Sequence, residues 1–207
     1  RKNIALNKAV MAAKYEYLIF VDGDCVPFDN FIENHVKQAE KKIVLAGKRV
    51  ELGENITKEI RSKKLTVSRL TNKYWFFLPK LIKDKTRHLE DMLHVSYKSF
   101  LAPIIRKEVN YIIGCNWSAF KEDILTINGF DETYTLPSVG EDVDLGWRFR
   151  GLGIELKSCR HNANLVHLYH KKRFDSSQGI VNNAILKKNF DANKFVCDNG
   201  ILKKDNC

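Results

Sequence analysis

The sequence predicts an α/β fold, a mixed and mainly parallel sheet flanked by helices, and three observations carry that expectation. First, the run Tyr17-Leu18-Ile19-Phe20-Val21 leads directly into Asp22-Gly23-Asp24. A short continuous apolar run with β-branched and aromatic members reads as a strand buried on both faces, in the middle of a parallel sheet. Second, a helix-like segment and another apolar run, Ile43-Val44-Leu45-Ala46, come next, which is the order of a β-α-β unit. Third, helix and strand character alternate again after residue 110.

Composition bounds the rest. A chain of 207 residues with 44% hydrophobic content makes about one soluble domain. We read 1–173 as that domain, with a basic helical insertion at 56–109, and 174–207 as a helical extension. No stretch approaches the ~20 apolar residues of a membrane span, and no signal peptide is visible. The five cysteines form no Cys-x-x-Cys pair, which argues for free thiols in a reducing compartment. A net charge of +10 favours anionic partners. No nucleic-acid motif is present, so nucleic acid is not among the expected partners. The chain opens with Arg1 inside a helical pattern, so upstream sequence is expected.

Taken in order, Ile4 to Ala13 fit a short helix. After the first strand, Asp29 is a fair N-cap for a helix from Asn30 to Lys41, with Phe31, Val36 and Ala39 inward. Arg49-Val50-Glu51-Leu52 continues the second strand. Residues 56–109 are dense in lysine and arginine and hold Tyr74-Trp75-Phe76-Phe77, which reads as two basic helices broken near Pro79. They are either a helical pair packing on the sheet or a surface that meets a membrane, since basic residues beside Trp and Phe suit an interfacial helix. Tyr111 to Phe120 returns to strand character, Lys121 to Ile127 to helix, and Asn128 to Glu132 to a turn. The Thr-, Pro- and Ser-bearing loop 133–140 is of the mobile kind found at sheet mouths. Glu141 then opens a helix that Gly151 closes, with Leu145, Phe149 and Leu152 on one face. Strands at 154–156 and 165–170 and a helix from Ser176 complete the reading.

Several of these residues carry chemistry. Open sheets bind ligands at the carboxyl ends of their strands, which puts Asp22 and Asp24 at a cleft. Paired carboxylates suit Mg²⁺ or Mn²⁺, although Asp-Gly-Asp is also ordinary turn composition. Glu141 and Asp142 offset a helix dipole, and a carboxylate at such a helix start also serves as a general base. His167 and His170 are either half-buried strand-end histidines or metal ligands, and imidazole added to aspartate favours Mn²⁺ over Ca²⁺. Three residues apart in an extended segment, they lie on opposite faces, so only one meets a metal at Asp24 unless the strand ends between them. Arg148 has the spacing for an ion pair with Asp144; the other reading is an acceptor contact.

The ordered set is Asp-Gly-Asp after a strand, Gly-Cys-Asn-Trp-Ser at 114–118, Asn-Gly-Phe-Asp-Glu at 128–132, Gly-Glu-Asp-Val-Asp-Leu-Gly-Trp-Arg at 140–148 and His-Leu-Tyr-His at 167–170. It resembles family 2 glycosyltransferases of the GT-A, Rossmann-like fold, with a second half similar to galactosyltransferases and chondroitin-polymerase-type enzymes. The resemblance implies an N-terminally truncated GT-A domain and an inverting hexosyltransferase. Its donor would be a nucleoside diphosphate sugar, and its acceptor a saccharide or lipid-linked saccharide. It further implies that Asp24 ligates Mn²⁺ or Mg²⁺, that Asp22 and Asn7 contact the donor, and that His170, or else His167, completes the metal site. Asp142 would be the base, with Glu141 and Trp117 orienting the acceptor. Leu6 stands where relatives carry an arginine, and the Gln-x-x-Arg-Trp signature of processive synthases is absent. Together with the basic stretch, the resemblance points to bacterial cell-surface polysaccharide or lipopolysaccharide synthesis, in the cytoplasm and at the inner face of the plasma membrane. The rival readings are a non-catalytic basic membrane-surface module and a sugar nucleotidylyltransferase.

Overall fold

The computed structural model describes residues 2–96, 98–100, 109, 111–135, 140–171 and 176–203. It is a mixed α/β structure in which two sheets are flanked by helices. Helix α1 (Lys2–Ala12) leads into β1 (Tyr17–Phe20) and β2 (Cys25–Pro27), followed by α2 (Phe31–Lys37), β3 (Ile43–Ala46) and β4 (Arg49–Glu51). Three helices come next: α3 (Glu54–Arg61), α4 (Val67–Asn72) and α5 (Tyr74–Lys83), then a 3₁₀ turn at Leu89–Met92. The remainder is β5 (Trp117–Phe120), α6 (Lys121–Thr126), α7 (Glu141–Gly151), β6 (Glu155–Ser158), β7 (Leu165–His167) and α8 (Ser176–Asp191).

The first sheet has the order β1-β5-β3-β6 and the second β2-β7-β4. In the first, β5 pairs antiparallel with both β1 and β3, while β3 and β6 are parallel, so β5 alone runs against the rest. In the second, β7 is parallel to β4 and antiparallel to β2. The strand ending in Asp22 is therefore not central. Among the described residues β1 is an edge strand, half-buried throughout, and β5 has entered between the two strands of the expected β-α-β unit.

The basic segment divides differently from expectation. Pro79 lies inside α5 rather than breaking it, and the breaks fall around Ser62 and at Lys73. Thr66 caps α4, its hydroxyl accepting from the Arg69 N–H at 3.2 Å. The inner faces of these helices supply Ile56, Val67, Leu70, Tyr74, Phe77 and Leu81, which with Leu65 between α3 and α4 bury against Val50 and Val166 of the second sheet and Leu52 just beyond β4. The packing alternative for this segment holds for its inward face. A second core, with Val44, Trp117, Ile124, Leu145 and Phe149, fills the space beside the first sheet.

Two helix faces are rotated from the sequence reading. In α2 the inward residues are Phe31, Asn34 and His35, while Val36 points out. His35 is fully buried because its ring is a link in a polar chain. Asn116 donates both amide protons, to the Lys48 and Ala163 carbonyls, at 2.7 and 2.8 Å, so its Oδ1 only accepts. His35 Nε2–H therefore donates to Asn116 Oδ1 (3.2 Å), and Nδ1 accepts from Ser118 Oγ (2.7 Å), which in turn accepts from Tyr17. A polar group this deep is tolerated only when so satisfied. In α7, Leu145 and Phe149 are buried but Leu152 faces out, and the left-handed stop is Gly153 (φ +73°) rather than Gly151. Helix α8 lies on α7: Trp147 packs on Phe190 and Phe195, and Asn189 donates to Asp144 at 3.0 Å.

Candidate functional site

The metal-type cluster is built by strand register. Pairing of β2 with β7 sets Cys25 opposite His167, and Leu168 N–H donates to the Asp24 carbonyl at 2.9 Å. The strand then stops. Tyr169 N–H leaves the ladder and bonds instead to the Thr57 hydroxyl at 2.9 Å. Because the extended segment ends here, the alternation that would have put the two histidines on opposite faces ends with it. Both rings now face Asp24: His167 Nε2 is 3.4 Å and His170 Nε2 3.2 Å from Asp24 Oδ2. The rings themselves are 5.1 Å apart. One ligand atom from each residue lies within 4.8 Å of the others, close enough to converge on a single ion. Burial pushes the His167 imidazole below its ordinary value, outweighing the Asp24 carboxylate, which favours the neutral, ligating form. Two imidazole nitrogens and a carboxylate suit Mn²⁺ better than Mg²⁺, which prefers oxygen throughout.

These three residues line a cavity of about 790 Å³ whose walls also include Asp22, Arg49 and Glu51. Glu51 is held by two guanidiniums, Arg49 Nη2 at 3.1 Å and Arg87 Nη1 at 3.3 Å.

The second cluster sits at the start of α7. Asp142 Oδ2 accepts from Gly114 N–H at 2.8 Å, and the Lys2 ammonium donates to Glu141 Oε1 at 2.6 Å. A Cβ on Gly114 would lie 3.1 Å from Asp142 Oδ1 and 3.2 Å from Lys2 Nζ, so a larger residue would crowd the carboxylate and ammonium. Burial raises the Asp142 carboxyl above the usual range; Lys2 and the Gly114 N–H pull it back, and the Asp22 charge adds to the rise. Glu141 is raised by burial too, against the pull of Lys2. Burial alone would lower Lys2, but Glu141 and Asp142 carry it above the ordinary lysine value. These residues line a cavity of about 10 Å³, with Trp117 and Phe130 as its apolar wall. Asp22 thus faces the larger cavity while its field reaches the smaller.

Other expected site residues are structural. Asn7 is buried on α1; its amide donates to Phe130 O and Glu132 Oε1 and accepts from Phe130 N–H, at 2.8 to 2.9 Å, which leaves nothing for a donor nucleotide. Arg148 is 1% exposed and spends its guanidinium on Asp144 Oδ2 (2.7 Å) and the carbonyls of Ile127 and Gly129. It is the ion pair with Asp144, not an acceptor contact. Both residues hold the turn at Asn128–Gly129, whose residues have φ of +60° and +70°. Trp117 is 1% exposed and stacks on Phe20 at 4.0 Å, so its ring is core and offers no open face to a sugar. Residues 136–139 of the expected mobile loop, and 172–173 after the histidines, lie outside the described residues. Sequence reasoning missed Lys2, because a lone lysine on a helix carries no pattern. Gly114 was visible inside its motif, but its contact with Asp142 was not. The alternation of Arg49 and Glu51 along β4 was a readable signal for a shared face.

Comparison with known families adds two matches. Residues 1–112 match glycosyl transferase family 2. Residues 96–171 match the N-terminal domain of galactosyltransferase, a span that holds Gly114, Glu141, Asp142 and both histidines. No curated protein matches the chain. With more than half of its length matched by that first family, and with the fold expected of it, the chain belongs to glycosyl transferase family 2, the enzymes that move a sugar from a donor to an acceptor.

Proposed function

We propose that the protein is an inverting, metal-dependent hexosyltransferase that uses a nucleoside diphosphate sugar. The observation that carries this reading is the convergence of His167, His170 and Asp24 on the wall of a cavity large enough for such a donor. Bound there, Mn²⁺, or less favourably Mg²⁺, would supply positive charge against the leaving diphosphate. Asp22, on the same wall, holds the donor. Asp142 accepts the proton of the attacking acceptor hydroxyl, and the Gly114 N–H aims its carboxylate. Attack opposite the leaving group inverts the anomeric centre. Glu141 binds the acceptor once Lys2 has turned away from it, and the freed ammonium stays near enough to keep Asp142 ionised.

Family membership and the two-histidine cluster support this reading over a sugar nucleotidylyltransferase or a binding module without catalysis. The acceptor in this reading is a saccharide or lipid-linked saccharide of bacterial cell-surface polysaccharide or lipopolysaccharide synthesis. A lipid-linked acceptor would bring the protein to the inner face of the plasma membrane, from the cytoplasmic side. The direct test is a screen of the protein against nucleoside diphosphate sugars with Mn²⁺, following the released nucleoside diphosphate. Release that needs Mn²⁺ and an added saccharide is the expected result. Release unaffected by chelation overturns the metal-dependent mechanism.

A further inference from the structure

We infer that helix α5 is a docking surface for an anionic phospholipid bilayer. A helix with large apolar residues on opposite faces is normally buried on both, and α5 breaks that rule. Its inner arc, Tyr74, Phe77 and Leu81, is buried in the core of the second sheet. Its outer arc carries Trp75, Phe76, Pro79 and Ile82, spaced i, i+1, i+4 and i+7 and so on one face. Trp75 is 72%, Phe76 77% and Ile82 59% exposed. Nothing among the described residues covers them. Scattered exposed apolar residues need no explanation, whereas a contiguous aromatic stripe rimmed by charge marks an interaction site.

The charge around the stripe selects the partner. Between residues 56 and 87 the chain has ten lysines and arginines and only two acids, so this segment carries +8 of the net +10. Lys58 is paired with Glu54 and Lys80 with Glu59, each below 3 Å. Arg61, Lys63, Lys64, Arg69, Lys73, Lys83 and Lys85 have no acidic partner among the described residues within salt-bridge distance. At 100° per residue, Lys83 falls within the outer arc and Lys80 beside it, while Lys73 caps the start of the helix. Aromatic rings that enter the headgroup boundary, beside long cationic chains that reach lipid phosphates, are what an interfacial helix presents. Pro79 helps here: having no N–H, it leaves the Trp75 carbonyl without its intrahelical donor on a face open to solvent and headgroups.

The surface also has a place relative to the candidate site. Lys83, the last residue of α5, and Lys85 and Arg87 beyond it line the 790 Å³ cavity. A bilayer held by α5 therefore lies beside the cavity mouth, where a lipid-linked acceptor would be within reach. That last consequence rests on the proposed function; the docking surface itself does not.

The experiment is co-sedimentation of the protein with vesicles of phosphatidylcholine alone and of phosphatidylcholine with one-third phosphatidylglycerol. The expected result is binding to the anionic vesicles only, weakened by salt and reduced at least about tenfold by Trp75→Ser with Phe76→Ser, surface changes that leave the inner arc intact. Lys73→Glu with Lys83→Glu should reduce it comparably. Bromine-labelled lipid should quench the wild-type fluorescence and spare Trp75→Phe, because Trp117 is buried and Trp147 packs against Phe190 and Phe195, away from α5. Absence of binding, or binding that survives both double variants, overturns the inference. So does a concentration-dependent dimer in the wild type that both Ser substitutions abolish, because the stripe would then belong to a second copy. Because Trp75 and Phe76 do not line the cavity of Asp24 and the histidines, Mn²⁺ titration of the Trp75→Ser, Phe76→Ser variant separates failure of docking from failure of the proposed reaction.

Discussion

Asp24 and Asp142 are the same residue type at two mouths of one molecule, and their surroundings give them different chemistry. Asp24 faces two imidazoles in an open cavity of about 790 Å³. Asp142 faces one ammonium and one backbone N–H in a cleft of about 10 Å³, where burial lifts its pKa. Two nitrogen donors around a carboxylate suit the proposed ligand set; a single cation beside a buried carboxylate suits the proposed base. Asp22 lies between, on the wall of one cavity and within the field of the other.

The strongest way to break this contrast is Asp142→Asn. It keeps the shape of the side chain and removes the base. Transfer should fall by about three orders of magnitude while Mn²⁺ affinity, read by calorimetry, stays put. Next, Asp24→Ala should weaken Mn²⁺ at least about a hundredfold, the upper end for merely disturbing groups that support ligands. His167→Ala and His170→Ala should each weaken it too, because both rings reach the same oxygen. If either one leaves Mn²⁺ affinity unchanged, the convergence is not a metal site.

Lys2→Met sharpens the other side. The Lys2 cation holds Asp142 down, so its loss raises the carboxyl further and moves the acid limb of the pH–rate profile to higher pH. A few-fold loss of transfer at pH 6, recovered at pH 8, is expected, with Mn²⁺ binding unmoved. An unshifted limb would remove Lys2 from the base.

The smallest effect on either cluster should come from His35, which touches neither. Burial holds its pKa at about 4 in the folded protein, against 6.5 for an ordinary histidine. Below pH 6.5 the unfolded chain takes up a proton that the folded chain refuses, so stability is full above 6.5 and declines toward 4. The loss should be roughly 3 kcal/mol by pH 4, measured by urea unfolding, and His35→Gln should flatten that slope.

How much of this was legible in the sequence follows from which interactions are local. The Asp-Gly-Asp turn, the acidic start of α7 and the histidine pair each announce themselves within a few residues, because turn and cap chemistry is local. The alternation of helix and strand likewise gave the fold class. The central position expected for β1 failed because strand order is a long-range property: Trp117 enters from 97 residues downstream to sit opposite Phe20. Asn7 and Arg148 looked like site residues because exposed polar chemistry and buried polar chemistry have the same letters. Only the fold reveals that both are consumed by the turn at Asn128–Gly129. The inward face of α2 was misjudged for the same reason, since His35 is interior by virtue of partners more than 80 residues away.

The early end of β7 has a wider meaning. What lets two imidazoles share one carboxylate oxygen is not their identity but the point at which the backbone stops pleating, and the Thr57 hydroxyl on α3 marks that point. One further rung of ladder would turn His170 to the far side without changing a single ligand. The proposed metal affinity thus depends partly on where the chain stops pleating, and Thr57→Val should weaken it without touching a ligand.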